Sequence, residues 1–198
     1  MKLPLYITLF MGILWISCSN PNQRVGHDFT RADSLTEHYL TLQDSILHAW
    51  NVMIRDEKEK IKNMHELIRL MEKSGSELAE LKSLEQRIQQ LEKIRFTQKS
   101  LSNPYVIDEY DFASGSIIAE LISMAEVDPA TINNPKIQKL VDQIKAAEQR
   151  VSMYRTEYDR VVADFNAFLE DHGSSLDEID AEVDSHKKPL FQVASEKD

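Results

Sequence analysis

The chain has 198 residues, enough for one domain with a sizeable core, and its 33 acidic against 23 basic residues give a net charge of -10. That charge repels phosphate backbones, and no basic stripe interleaved with aromatics interrupts it, so no nucleic acid partner is expected. Gly is scarce at five, while Leu, Ile, Glu, Lys and Gln fill long stretches, a composition that suits helices with few turns rather than a sheet.

Met1 to Ser17 carry one charge, Lys2, then an apolar stretch from Leu3 to Ile16 and the small Ser17 ahead of Cys18. This is the layout of a secretory signal. The stretch is fourteen residues long with Pro4 inside it, short of the roughly 20 that a spanning helix needs. The order Leu14-Trp15-Ile16-Ser17-Cys18 resembles a bacterial lipoprotein signal. The resemblance implies cleavage after residue 17 and a diacylglycerol on the Cys18 sulfur; an uncleaved signal anchor is the alternative. With a single cysteine no disulfide can form within the chain, and a metal site would need more ligands. Residues 18–32, polar with Pro21 and Gly26 and without helical period, read as a flexible tether. Such an anchor places the protein at a cell membrane or outer membrane with its body outside the cytoplasm.

From Asp33, Leu35, Tyr39, Leu42, Ile46, Ala49 and Met53 follow a helical repeat, which resumes in a new register with Ile61, Met64, Ile68 and Met71. One helix of about 60 Å is predicted. The run "RDEKEK", Arg55 to Lys60, falls where the seam would otherwise continue. Six successive residues of a helix cannot all face solvent, so at least one of these charges points inward. "SGSE", Ser74 to Glu77, ends that helix at Gly75 and opens the next, with Ser74 and Glu77 spaced as a capping box. Leu78, Leu81, Leu84, Ile88, Leu91 and Ile94 give a second amphipathic helix, and Asn103-Pro104 suits a boundary and a fresh start. The third helical stretch contains Ser114-Gly115-Ser116, which predicts a kink or a helix that begins only at Ser116 and runs to Val127.

Asp128-Pro129 and Asn134-Pro135 bracket the next turn. Ile137, Leu140, Ile144, Ala147, Val151, Tyr154, Tyr158, Val161, Phe165 and Phe168 then alternate steps of three and four up to Gly173, which closes the segment. The bundle domain is therefore placed at 33–172, with 173–198 an acidic tail holding one short helix and a "PLFQV" strip able to pack on the body in extended form. The fold class is all-α, an elongated antiparallel bundle of about four helices.

In the last helix a row formed by Val141, Glu148, Arg155, Val162 and Leu169 widens the apolar face but carries two charges at its centre. In an up-down bundle that centre lies level with "RDEKEK". A polar layer linking Glu57 and Lys60 to Glu148 and Arg155 within an apolar core is one reading. Four solvated helix-face charges are the other.

The stretch from Ser116 to Asn166 resembles the LemA family in one ungapped block: "SIIAELISMAEVDP", "NPKIQKLVDQIKAAEQRV" and "MYRTEYDRVVADFN". Glu126 and Pro129 fit the family's residues before its turn, and Glu148, Arg150, Val151, Arg155, Tyr158, Val162 and Asn166 fit its last-helix signature. Asp159 stands where the family usually has Asn. Ala49-Trp50 is similar to the family's Ala-Trp in the first helix, whereas "KEKIKNMHEL" departs from its Arg-rich stretch ending in Ile-Pro-Asn-Leu. The resemblance implies a LemA-like antiparallel bundle held at a bacterial membrane by its amino-terminal segment, and it implies no reaction.

No catalytic, metal or cofactor site is expected. The glycines form no phosphate-cradling run, the six histidines include no His-Glu-x-x-His pair, and none lies three residues after a Glu. Two classes of function remain. One is a lipid-anchored, non-catalytic interaction or scaffold module that faces an unknown envelope protein or itself. The other is a ligand-binding or catalytic bundle that uses the central polar layer, which requires a pocket opening onto Glu148 and Arg155.

Overall fold

The computed structural model describes residues 30–94 and 97–191. The chain divides into a unit ending at Arg31, almost wholly outside the described residues, and a unit from Ala32 onward that contains the bundle. The predicted signal and cleavage, Cys18 and most of the tether fall outside the described residues. Arg31 and Ala32, assigned to the tether from sequence, already belong to the first helix.

The described residues form four α-helices and no strand: α1 (Arg31–Ser74), α2 (Leu78–Leu91), α3 (Pro104–Val127) and α4 (Pro135–Ile179), with a 3₁₀ turn at Gln98–Ser102 before α3. Two starts are built alike. The side chain of Asn103 accepts the Tyr105 N–H and that of Asn134 accepts the Lys136 N–H, and each cap precedes a proline at the first helical position. There the missing N–H costs nothing, because it would have no intrahelical partner.

The α1–α2 link differs from its expected form. Gly75 adopts φ of +93°; its N–H donates to the Glu72 carbonyl and the Ser76 N–H to the Met71 carbonyl, a Schellman end to α1. Ser74 is drawn into that end, its hydroxyl donating to the Leu70 carbonyl at 3.0 Å. The capping box therefore does not form, and α2 begins behind Glu77 without a side-chain cap. Ser76 instead donates to the Asp128 carboxylate at the far end of α3.

Helix α3 runs unbroken through Ser114-Gly115-Ser116. Three weak helix formers cost roughly 1–2 kcal/mol together, less than is gained by burying Ile107 and Tyr110 on one side and Ile117, Ile118 and Leu121 on the other. Gly173 likewise does not close α4, which continues to Ile179. A mid-helix glycine costs about 1 kcal/mol, and the added turns bury Leu176 to 1 % exposure, a gain of about 2 kcal/mol. The bundle helix thus takes in the region assigned to a separate short helix. Beyond it, residues 184–190 have no regular secondary structure and 191 is a bend, and this strip packs on the body through Leu190 and Phe191.

Side-chain pairs fix the topology. Tyr39 meets Phe165, Trp50 meets Tyr158, Asp56 meets Arg150 and Lys60 meets Glu148, so α1 and α4 run antiparallel. His65 with Glu85, Arg87 with Glu120, and Lys145 with Glu126 make each successive pair antiparallel as well. The result is an up-down-up-down bundle. Its core falls into two clusters: Met64 to Met71, all of α2, most of α3 and Ile137 to Ile144 form one; Tyr39 to Met53, Leu101, Ile107, Tyr158 to Leu176 and Phe191 form the other.

Candidate functional site

Between the two clusters lies a band of charge. Lys60 is 2 % exposed, and its ammonium donates to Glu57 at 2.9 Å, one turn back on α1, and to Glu148 of α4 at 2.7 Å. An ammonium so far from water is tenable only because two carboxylates neutralise and hydrogen-bond it. Glu57, itself 13 % exposed, also accepts the Tyr110 hydroxyl of α3. Burial, then the neighbouring Glu57 carboxylate, pushes the Tyr110 hydroxyl far up from its ordinary value, so it remains a donor.

Arg155 joins the same band through a different partner. Its guanidinium makes a two-pronged pair with Asp111 of α3, both contacts 2.7 Å. Burial works against the Arg155 charge, but Asp111, with Glu57 and Glu148 beyond it, holds its pKa above the ordinary value. Beside the layer, Arg150 forks onto Asp56 at 2.7 and 3.3 Å. Its pKa is raised by that hydrogen bond.

Glu57, Lys60 and Glu148 thus come together in direct contact, and Arg155 reaches them only through the field of its charge. Sequence reasoning did not single out Asp111, Tyr110 or Asp56. Asp56 lies inside the "RDEKEK" run already marked as needing an inward charge; Tyr110 follows Ile107 by one turn on the face that α3 buries, and Asp111 lies at the edge of that face. A cavity of about 250 Å³ opens beside the layer, lined by Asp56, Lys60 and Arg150 among others. Neither Glu148 nor Arg155 lines it. Half-buried His65 lies between Glu85 at 3.0 Å and Glu92 at 3.4 Å. Among the described residues no cluster of His, Cys, Asp and Glu suits a metal ion.

The other residues singled out for family resemblance separate into two groups. Pro129 sits exposed in the α3–α4 turn. Tyr158 and Asn166 face the strip at the carboxyl end. Asn166 accepts the Lys188 N–H at 2.8 Å and donates to the Lys188 carbonyl at 2.9 Å, and Asp159 accepts the Phe191 N–H at 2.8 Å. The Phe191 ring is enclosed by Tyr158, Trp50 and the Arg155 guanidinium, whose carbon lies 5.1 Å from the ring centroid. Leu190 and Phe191 of "PLFQV" pack on the body, and its last two residues are outside the described residues.

No described helix is long and apolar enough to cross a membrane. Residues 54–198 match the model of the LemA family. No curated protein and no solved structure matches the chain.

Proposed function

The chain belongs to the LemA family, and on that premise we propose that it is a non-catalytic interaction module, held at a membrane by a lipid on Cys18, whose helical body engages a protein of the cell envelope outside the cytoplasm. The observation that carries this reading is that the charges of the polar layer are paired with one another. Lys60 is spent on Glu57 and Glu148, and Arg155 on Asp111. A site that binds or transforms a small ligand needs convergent polar groups facing a cavity. Neither Glu148 nor Arg155 lines the cavity of about 250 Å³ beside the layer, which favours the interaction reading over a ligand site built on those two residues.

Two experiments test the two halves. Metabolic labelling with a fatty-acid probe is expected to mark the natural chain and not Cys18→Ala; equal labelling rejects the lipid anchor. A photo-crosslinking residue at exposed Phe112 or Met153, introduced in cells, is expected to give one discrete adduct with an envelope protein. Adducts no richer than those of an unrelated anchored protein reject the interaction role.

A further inference from the structure

The half of the bundle that α2 does not reach is closed by the strip, and the way the strip is held is unusual for a tail. Its backbone is read by side chains of α4 and, at the Asp184 carbonyl, by the Tyr39 hydroxyl of α1. Asn166 satisfies both the N–H and the carbonyl of Lys188, and Asp159 takes the N–H of Phe191. Such bonds are indifferent to the sequence of the extended segment they hold, as in other modes of peptide recognition where the main chain provides affinity and side-chain pockets provide selection. The selective contacts lie three residues apart. Lys188 places its ammonium 5.2 Å from the Phe165 ring centroid, and Phe191 fills the socket of Trp50, Tyr158 and Arg155. A further cation, Lys187, pairs with Glu170 of α4.

Two features indicate that the strip is not the best possible occupant. The Tyr158 hydroxyl and the Arg155 Nε are buried and find no acceptor among the described residues, and both belong to the wall around Phe191. Leaving buried donors unmatched is costly, so a segment that brings an acceptor there gains over the strip. Among the described residues the strip is held by four main-chain hydrogen bonds, one of them from the Tyr39 hydroxyl to the Asp184 carbonyl, by Phe191 and Leu190 against the core and by the cationic contacts of Lys187 and Lys188, with no helix or strand in the segment.

We propose that the α1–α4 groove under Lys188–Phe191 is a recognition site for an extended, basic segment of a partner protein with Lys-x-x-aromatic spacing, and that the chain's own strip occupies it until displaced. Charge complementarity favours a basic partner: Glu170 of α4 already pairs with Lys187 of the strip, on a chain whose net charge is -10. The inference rests on the interaction reading, and it names the partner's chemistry. It does not depend on the lipid anchor.

The test uses the full chain and a fluorescently labelled, amidated peptide of residues 186–191, His-Lys-Lys-Pro-Leu-Phe, with binding read by anisotropy. In the wild-type chain the strip competes. Phe191→Ala removes the strip's anchor, and Lys188→Glu sets a carboxylate beside Asp184 without opening a cavity. Both variants are expected to bind the peptide about tenfold more tightly than wild type, the effect of freeing one hot-spot side chain. Adding Asn166→Ala to either should cost that gain, and a peptide with alanine in the last position should not bind. If Phe191→Ala fails to fold by circular dichroism, Lys188→Glu carries the measurement. Equal affinity of folded variants and wild type, or equal binding of the alanine peptide, overturns the proposal. So does a concentration-dependent wild-type dimer by light scattering that Phe191→Ala abolishes, which would make a second copy the occupant. A negative peptide result leaves the cellular crosslinks standing, whereas absent crosslinks remove the interaction role whatever the peptide does.

Discussion

The layer around Lys60 predicts an asymmetry between its two carboxylates. Glu57 is 13 % exposed and serves two donors, the Lys60 ammonium and the Tyr110 hydroxyl. Glu148 makes the shorter contact with Lys60 but is 43 % exposed. Glu57→Ala therefore leaves a buried hydroxyl without its acceptor and Lys60, at 2 % exposure, with only the more hydrated of its partners. Breaking a buried pair in this way costs about 3 kcal/mol. Glu148→Ala removes a solvent-screened partner and leaves Glu57 in place, for about 1 kcal/mol or less. Combining Glu57→Gln with Lys60→Met removes the buried charges together while the amide oxygen can still accept from Tyr110, so the pair should fall within about 1 kcal/mol of the natural chain. Urea unfolding followed by circular dichroism measures all three. In a chain of this size Glu57→Ala should also lower Tm by about 6–12 °C. Equal losses from the two single carboxylate variants, or a Glu57→Ala loss below about 1 kcal/mol, would refute the reasoning.

Glycine substitutions should divide by backbone. Gly75→Ala meets no atom within 4 Å, but its φ of +93° is unfavourable for a side chain, so it should cost about 1 kcal/mol. Gly115→Ala, mid-helix and equally unobstructed, should stabilise by about 0.5–1 kcal/mol, and a loss at Gly115 in the same urea titration would contradict an unbroken α3. The Asp128 carboxyl is held below its ordinary value, first by the Ser76 hydroxyl and then by the Ala130 N–H. A depressed carboxyl contributes stability above its unfolded pKa of about 3.9 and loses it as pH falls through the folded value. Ser76→Ala should therefore raise the Asp128 titration seen by NMR and destabilise more at pH 7 than at pH 2; the same loss at both would show that the hydroxyl acts without the charge.

The periodicity of α1 and α4 made the bundle legible, because burying a stripe leaves a spacing of three and four that no loop imitates. Ile46, Ala49, Met53 and Met64 on α1, and Ile137, Ile144, Tyr158 and Phe165 on α4, are buried as their spacing requires. The Lys60–Glu148 contact was legible for a related reason: charges inside an apolar stripe must find each other or water. What could not be read was local and competitive. Ser74 had two uses, capping the next helix or finishing the last, and the Schellman turn at Gly75 decided between them. Gly115 and Gly173 look like breaks in isolation, yet burial on either side outweighs about 1 kcal/mol of propensity. Arg155 found Asp111 on α3 rather than a partner on α1, and α3 carried the least regular pattern in the chain.

The two core clusters differ in kind because the helices differ in length. Helix α2 has 14 residues against 44 in α1 and 45 in α4, so it lines only the cluster from Met64 to Met71, and that cluster is built mainly of Leu, Ile and Met. Opposite the first half of α1 the fourth position is filled by the 3₁₀ turn with Leu101 and by the strip with Phe191. A strip presents far fewer apolar side chains per length than a helix. Broad rings make up the difference: Tyr39, Trp50, Tyr158, Phe165, Phe168 and Phe191 all lie in or against this cluster. The polar layer sits at the boundary, where Lys60 and Glu148 close the four-helix half and Arg155 turns one face to Asp111 and the other to Phe191. Arg155, paired with Asp111 beside the charge layer, thereby also touches the strip, so a change in strip occupancy alters the surroundings of Arg155 directly.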